Sequence, residues 1–362
     1  MSKKQKRPSV KNESHSYVNE SPNLEVEGGA SAYSRSTWTP PEQKKKKSKG
    51  KKIATVILCV ILAVILAVVA AAVVYINTLN SKIQTVDDEL EAALAIDTSL
   101  DEDDTTTTTT TTTDESTFYV LVLGSDTRSD DTDGSRSDTI MLVRVDTEEQ
   151  AVTIISIPRD TQVYIEGYGT SKINAAYAYG GAALAVTTVE ELAGVQISHV
   201  VEVDFSGFED IVDALGGVYV YVPANTEYDG IVLEEGYQTL DGEEALVLAR
   251  CRKTYATGDY QRTENQRNLV IAIIDGIMDT SIVNLPSVIN SICDAVTTDM
   301  SVTEILSLAI SMYGMDTDEI MSAVAPSYTG TENGVSYVYL YEDEWEEMMA
   351  RVDAGLDPEG DE

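Results

Sequence analysis

Residues 53–362 hold 12 basic side chains against 56 acidic ones. Nine of the 12 sit in or beside a few short segments: Arg128, Arg136, Arg159, Lys172, Arg250, Arg252, Lys253, Arg262 and Arg267. In so acidic a stretch, scattered cations would serve as ion-pair partners. Gathered beside the ends of apolar runs, they suggest a phosphate site. The guanidinium fork meets phosphate oxygens two at a time, and open α/β sheets place ligands at their strand ends. Strand-end arginines also form structural ion pairs, so the cations alone leave both readings open. Two spacings add detail. Arg250 and Arg252 share a face on an extended backbone but not on a helix. Pairing them predicts that the chain leaves its helix near Ala249. Arg262 and Gln266, four apart, share one helix face.

Other reagents are missing. The sequence has no Gly-rich phosphate loop followed by Lys and Ser or Thr, no HExxH, no CxxC pair and no GxSxG. After residue 52 the single histidine is His199. It heads an apolar run and reads as structural, so His-dependent hydrolase and zinc chemistry lose their main reagent.

These residues must be held by a folded domain, and the charge pattern shows where it begins. The formal net charge is −36 over 362 residues. Residues 1–52 carry 13 basic and five acidic residues, a net +8, which leaves −44 for the rest. Between the two lies Ile53–Ile76, 24 residues without a charge. As a helix it is about 36 Å long, enough to cross a ~30 Å hydrocarbon core. Lysines flank it on one side and acids on the other. That asymmetry places the N-terminus in the cytoplasm and the large C-terminal part outside. Residues 1–52 read as a disordered basic tail. Residues 77–117 read as a polar helix followed by an acidic, threonine-rich linker. Cys251 and Cys293 fall outside the membrane, where a disulfide can survive; spacing alone does not say whether they pair. Nucleic acid is excluded as a partner of the −44 part, because phosphate-backbone binding requires abundant Lys and Arg.

From Phe118 the pattern is that of an α/β domain. Apolar runs at 118–124, 139–146, 151–158 and 199–205 read as strands, with 218–222 and 335–341 as later ones. Residues 174–194 read as a helix interrupted at Gly180–Gly181. Ser206 is expected to cap a helix ending at Leu215, and 242–249, 260–278, 285–296 and 301–314 read as further helices. Strands alternating with helices imply a layered α/β fold around a central sheet. Residues 281–345 read as its C-terminal helices and late strand, and 346–362 as an acidic tail.

Six segments occur in a telling order: LGSDTR (123–128), GSRSDTIML (134–142), SIPRDT (156–161), KINAAYAYGG (172–181), LDGEEALVLARCRK (240–253) and GDYQRTENQ (258–266). Their wording resembles the LytR-CpsA-Psr family of cell-envelope proteins over about 118–280. The resemblance implies a three-layer α-β-α sandwich with a central mixed sheet, preceded by one transmembrane helix. It implies a phosphotransferase that moves a glycopolymer, such as teichoic acid or capsule, from a polyprenyl-pyrophosphate carrier to peptidoglycan. A cell-membrane location in a Gram-positive type envelope follows.

The resemblance also assigns roles. Asp126 and Asp138 would hold Mg²⁺, a cation that takes oxygen ligands and bridges to pyrophosphate; aspartate is equally favoured in turns and caps. Arg136, Arg159, Arg250, Arg252, Arg262 and Gln266 would bind pyrophosphate, with Arg159, Arg262 and Asp259 catalytic. Asp259 either caps its helix or orients and deprotonates an acceptor hydroxyl. Three alternatives compete with ligation: a lipid-carrier binder without turnover, a pyrophosphatase, and a transcriptional attenuator, an old label for this family. The last conflicts with an acidic ectodomain.

Overall fold

A computed structural model describes residues 49–83, 88–94, 116–125, 136–252, 259–281 and 284–360. The expected tail before residue 49, the Thr105–Thr113 run, Asp126, Arg128 and Lys253 lie outside these residues. The chain divides into two units, Met1–Ile61 and Leu62–Glu362. Helix α1 (Lys49–Asn80) begins in the first unit. It is long and apolar enough to cross a membrane, and Val64, Leu66 and Val74 on it are more than half exposed to water.

In the second unit, the end of α1 buries one side chain, Leu79. Leu79 and Ile83 pack with Cys293 and Val302. The hydroxyl of Tyr75 donates to the Pro286 carbonyl at 2.9 Å, and Lys82 pairs with Asp294 at 2.8 Å. The short α2 (Asp88–Leu94) follows, with Leu90 and Ala93 in the main core. The segment expected as a polar helix after the span thus contributes side chains to buried clusters.

The domain is built on six strands. β1 (Thr117–Ser125), β2 (Ser137–Asp146) and β3 (Ala151–Ser156) form an antiparallel meander. A small hairpin, β4 (Gln162–Ile165) with β5 (Gly169–Lys172), leads into α3 (Asn174–Ala193). α3 breaks as expected: Gly181 has φ 64° and ψ −156°, a conformation that favours glycine. β6 (His199–Asp204) then pairs parallel to β1. After it come α4 (Phe205–Leu215), β7 (Val218–Val222), the hairpin β8 (Thr226–Tyr228) and β9 (Ile231–Leu233), β10 (Gly236–Leu240), α5 (Gly242–Arg250), α6 (Asp259–Asp279) and α7 (Leu285–Ala295). β11 (Val296–Thr298), α8 (Val302–Ser311), β12 (Met321–Val324), the hairpin β13 (Ser327–Glu332) and β14 (Val335–Leu340), and α9 (Glu342–Asp353) complete the chain. The sheet order is β11-β6-β1-β2-β3-β12, with β11 antiparallel to β6 and β12 parallel to β3.

Both faces of this mixed sheet are covered, which gives the three layers. Alternate residues of a strand point to opposite faces. Leu121, Leu123, Ile140, Leu142 and Ile155 face α2, α3 and α9. Val120, Met141, Val143, Val152 and Ile154 face α6 and α8. Fully burying each such side chain is worth about 1.5–3 kcal/mol relative to exposure. A third cluster, centred on Val220, Leu240, Leu248 and Leu269, binds α4, α5, β7 and β10 to α6.

Two expectations need correction. Asp204, not Ser206, caps α4: its carboxylate accepts from the Gly207 N–H at 2.7 Å, and the Ser206 hydroxyl donates to the same oxygen. The stretch after residue 345 is not a tail. Trp345, Met348, Met349 and Val352 of α9 are buried in the main core. Their 3–4 spacing puts them on one helix face, while the acids of α9 take the other. Cys251 and Cys293 are both buried, and no disulfide joins them.

The α8 capping box gives a measurable contribution. The Ser301 hydroxyl accepts from Glu304 N–H at 3.3 Å, and the Glu304 carboxylate accepts from Ser301 N–H at 2.7 Å. Ser301→Ala is expected to cost about 1 kcal/mol, read from denaturant midpoints. Hydrogen bonding from Ser301 holds the Glu304 carboxyl below its ordinary value near 4.5. Its contribution is therefore complete above the unfolded value and is lost as pH falls through the lower folded one. The Ser301→Ala penalty should shrink in acid; a constant penalty down to pH 2–3, roughly, would refute the linkage.

Candidate functional site

One end of the central sheet carries Asp138 and lies beside Arg159. Ser125, the last residue of β1, pairs with Ser137 of β2 on one side and Asp204 of β6 on the other. β3 ends beside them at Ser156, opposite Met141. A register shift at Gly124/Ser125 bends β1 here. A Cβ on Gly124 would approach Thr139 to 2.8 Å, so glycine lets the two strands close.

Asp138 and Arg159 meet at this end. The Arg159 guanidinium donates through Nη1 to the Asp138 carboxylate, and both side chains remain partly open to solvent. The backbone around Arg159 is fixed from three sides. Its carbonyl accepts from Asn174 N–H at 3.2 Å, the Asp160 carbonyl accepts from Val338 N–H at 2.9 Å, and the Thr161 carbonyl accepts from Ile173 N–H at 2.8 Å. Lys172 pairs with Asp160 at 3.0 Å. Arg136 lies exposed just before β2.

α5 and α6 bring the remaining cations. α5 ends at Arg250, and Cys251 is extended (φ −69°, ψ 127°). The chain thus leaves the helix one residue after the expected point. Arg250 lies 4.7 Å over the Phe205 ring and 5.3 Å from the Tyr228 ring, which hold its guanidinium by cation–π attraction. Arg252 follows on the surface. α6 packs on α5, β2 and β3. Arg262 in its first turns is buried, at 3% exposure. Gln266 donates its amide to the Ala249 carbonyl at 3.1 Å, so it fastens α6 to the end of α5. Asp259 is the first residue of α6. The backbone does not separate its two expected roles.

Three groups not singled out in the sequence, on Ser137, Ser156 and Asn265, lie on the same elements beside Arg267. The Ser137 and Ser156 hydroxyls, Asn265 Nδ2, and Nε and Nη1 of Arg267 are buried without a hydrogen-bond partner. Burial pulls the Arg267 pKa below its ordinary value. Buried donors are almost always satisfied. Donors left over at the sheet end and on α6 suit a ligand rich in acceptor oxygens. Their signal in the sequence was only proximity: each lies within three residues of an expected site residue.

A separate cavity of about 330 Å³ opens where β1 and β6 end, lined in part by Ser125, Glu202, Asp204, Asp210 and Asp294. The Tyr177 hydroxyl donates to Glu202 there at 2.5 Å. Burial, with that carboxylate, pushes the phenol well above its ordinary pKa. An acidic lining does not suit a polyanion. His199 is structural: Nδ1 lies 2.6 Å from Asp299, and Phe118 meets the ring edge-on.

Known proteins share this fold. The model of the LytR_cpsA_psr family matches residues 84–354. A protein of Halalkalibacterium halodurans, polyisoprenyl-teichoic acid–peptidoglycan teichoic acid transferase TagU, is 40% identical over 186 residues, 51% of this chain and 61% of that one. TagT of Bacillus subtilis, a transferase of the same title, is 34% identical over 253 residues, 66% of this chain and 77% of that one. A structure of TagT bound to LIIa-WTA superposes with a TM-score of 0.58 at 31% identity, over 67% of this chain and 91% of that one. The crystal structure of B. subtilis TagV gives 0.60 at 31%, over 67% and 98%. The fold, the order of the six segments and the matched span lead to one conclusion: this chain belongs to the LytR_cpsA_psr family.

Proposed function

We propose that the protein is a membrane-anchored phosphotransferase. It attaches a wall glycopolymer of the teichoic acid class from a polyprenyl-pyrophosphate carrier to peptidoglycan, with its catalytic domain outside the cell. The observation that carries this reading is the Asp138–Arg159 pair at the sheet end, joined by the arginines of α5 and α6 in a chain otherwise strongly acidic. The homologous transferases and the TagT complex support the substrate class.

In this reading Arg159 and Arg262 neutralise pyrophosphate oxygens, and Phe205 and Tyr228 keep Arg250 aimed. Asp259 orients an acceptor sugar hydroxyl and takes its proton. The hydroxyl oxygen bonds to the glycan-bearing phosphorus as the bond from that phosphorus to the bridging oxygen breaks. Polyprenyl phosphate leaves with the bonding electrons. Preorganised donors lower this barrier because they need not reorient as charge builds on the leaving group. No nucleotide takes part.

Mg²⁺ fits the donor set. Among the described residues no three His, Cys, Asp or Glu side chains gather as a cage. Mg²⁺ needs only one or two carboxylates, with substrate phosphate and water supplying the rest. Asp138 would hold it with Asp126 as the second carboxylate, and the ion would supply charge neutralisation at the pyrophosphate. Chelation is expected to stop transfer by the membrane-embedded protein and added Mg²⁺ to restore it. Asp138→Asn should raise the Mg²⁺ concentration required by about tenfold or more. Transfer indifferent to chelator would refute the metal assignment.

A further inference from the structure

The hairpin β13–β14 carries a tyrosine face for which the transfer chemistry above has no use. Tyr328 and Tyr339 are direct cross-strand partners. Their rings stack with centroids 5.4 Å apart and planes 24° apart. Tyr341 lies 5.0 Å from Tyr328, and Tyr337 lies 6.2 Å from Tyr339. Residues two apart on a strand share a face, so the four rings form one continuous surface. Gly330 makes it possible: a Cβ there would come within 2.8 Å of the Tyr339 ring, which lies across the bare backbone. The opposite face turns inward through Val338 and Leu340. Tyr328 and Tyr341 remain 45% exposed.

This surface adjoins the site. Val338 N–H donates to the carbonyl of Asp160, next to Arg159. The hydroxyl of Tyr260, next to Asp259, lies 3.1 Å from the Ser327 hydroxyl. Lys172, at the edge, is 6.0 Å from the Tyr337 ring and already paired with Asp160.

We infer that the Tyr328–Tyr339–Tyr341 face is the docking platform for the acceptor, a phosphate-free chain of pyranose sugars such as the peptidoglycan glycan strand. Three observations favour that occupant. The rings are flat and apolar with hydroxyls at the rim, as pyranoses are flat and apolar on one face and hydroxylated at the edge. The four tyrosines bring no cation of their own, so a phosphate-rich polymer would find no counter-charge on this face, whereas sugar rings need none. The platform is also hydrogen-bonded to the loop carrying Arg159, where an acceptor hydroxyl is needed. The inference rests on the transferase reading for the identity of the acceptor.

The test uses the full chain in lipid nanodiscs. Its probe is a soluble, uncharged tetrasaccharide of N-acetylglucosamine, with binding followed by calorimetry. The Tyr328→Ser/Tyr341→Ser variant should bind it about tenfold more weakly. The Tyr→Phe pair should bind as wild type does. Gly330→Val, which displaces the Tyr339 ring while keeping every tyrosine, should weaken binding as well. Arg159→Ala should bind the tetrasaccharide normally. In transfer assays the serine pair should raise KM for acceptor but not for lipid-linked donor. Equal tetrasaccharide binding by wild type and the serine pair overturns the platform, even if transfer proceeds. So does loss of affinity for glycan-free anionic vesicles with glycan binding intact. Glycan binding without any transfer would leave the platform standing and remove the transferase reading.

Discussion

Arg159→Ala is expected to lower glycopolymer transfer by about 10²–10³-fold, the cost typical of deleting one preorganised oxyanion donor. The effect should fall on turnover and not on folding. The Arg159–Asp138 pair is partly exposed, and such pairs contribute about 0–1 kcal/mol to stability. Denaturation midpoints of variant and wild type should therefore nearly coincide. Arg159→Lys keeps the charge but loses the fork that grips two phosphate oxygens, so its activity should lie between the two. A lysine variant as active as wild type would mean that Arg159 serves as charge alone. A large loss of stability in the alanine variant would make the pair structural and remove the argument for a substrate role.

Trp345→Ala should cost about 3–5 kcal/mol of stability. Trp345 is 5% exposed, and its indole N–H donates to the Leu192 carbonyl at 2.8 Å, which ties α9 to α3. Truncation leaves a cavity and an unpaired carbonyl together. A domain whose stability is typically 5–15 kcal/mol would lose a large fraction of it. Ending the chain after Tyr341 should be worse, because Met348, Met349 and Val352 go too. Urea unfolding of the detergent-solubilised chain, followed by far-UV circular dichroism, measures both. Unchanged midpoints would return α9 to the role of an accessory tail.

α9 also shows what the sequence conceals and what it merely obscures. Its apolar residues at 345, 348, 349 and 352 have helical spacing, but five acids between 342 and 347 give the segment the composition of a tail. The period was legible; composition outweighed it. β11 and β12 were not legible. VTT and MSAV carry no alternation long enough to count, and they become strands because β6 and β3 offer open edges. The buried strands β1, β2, β3 and β6 were legible because apolar β-rich runs have few other places to go. At the α4 cap, Asp204 and Ser206 are both good capping residues, and the backbone at the end of β6 decides for Asp204.

The site divides in the same way. Arg159, Arg250 and Arg262 stood out because cations are scarce in residues 53–362. Their convergence was legible only through strand ends and helix phase. Gln266 was expected on the substrate; its amide instead holds the Ala249 carbonyl. Nothing in the spacing announces a bond between two helix ends. The orphaned donors Ser137, Ser156 and Asn265 needed burial to be seen at all.

The central claim is covalent transfer. The most direct measurement incubates the full chain, reconstituted in vesicles with a polyprenyl-pyrophosphate-linked teichoic acid polymer and Mg²⁺, with purified peptidoglycan. The account predicts phosphodiester-linked polymer on the peptidoglycan, an equal amount of released polyprenyl phosphate, and both reduced about 10²–10³-fold with Arg159→Ala. Polyprenyl phosphate released with free polymer in solution, or no release by the wild-type chain, would contradict it.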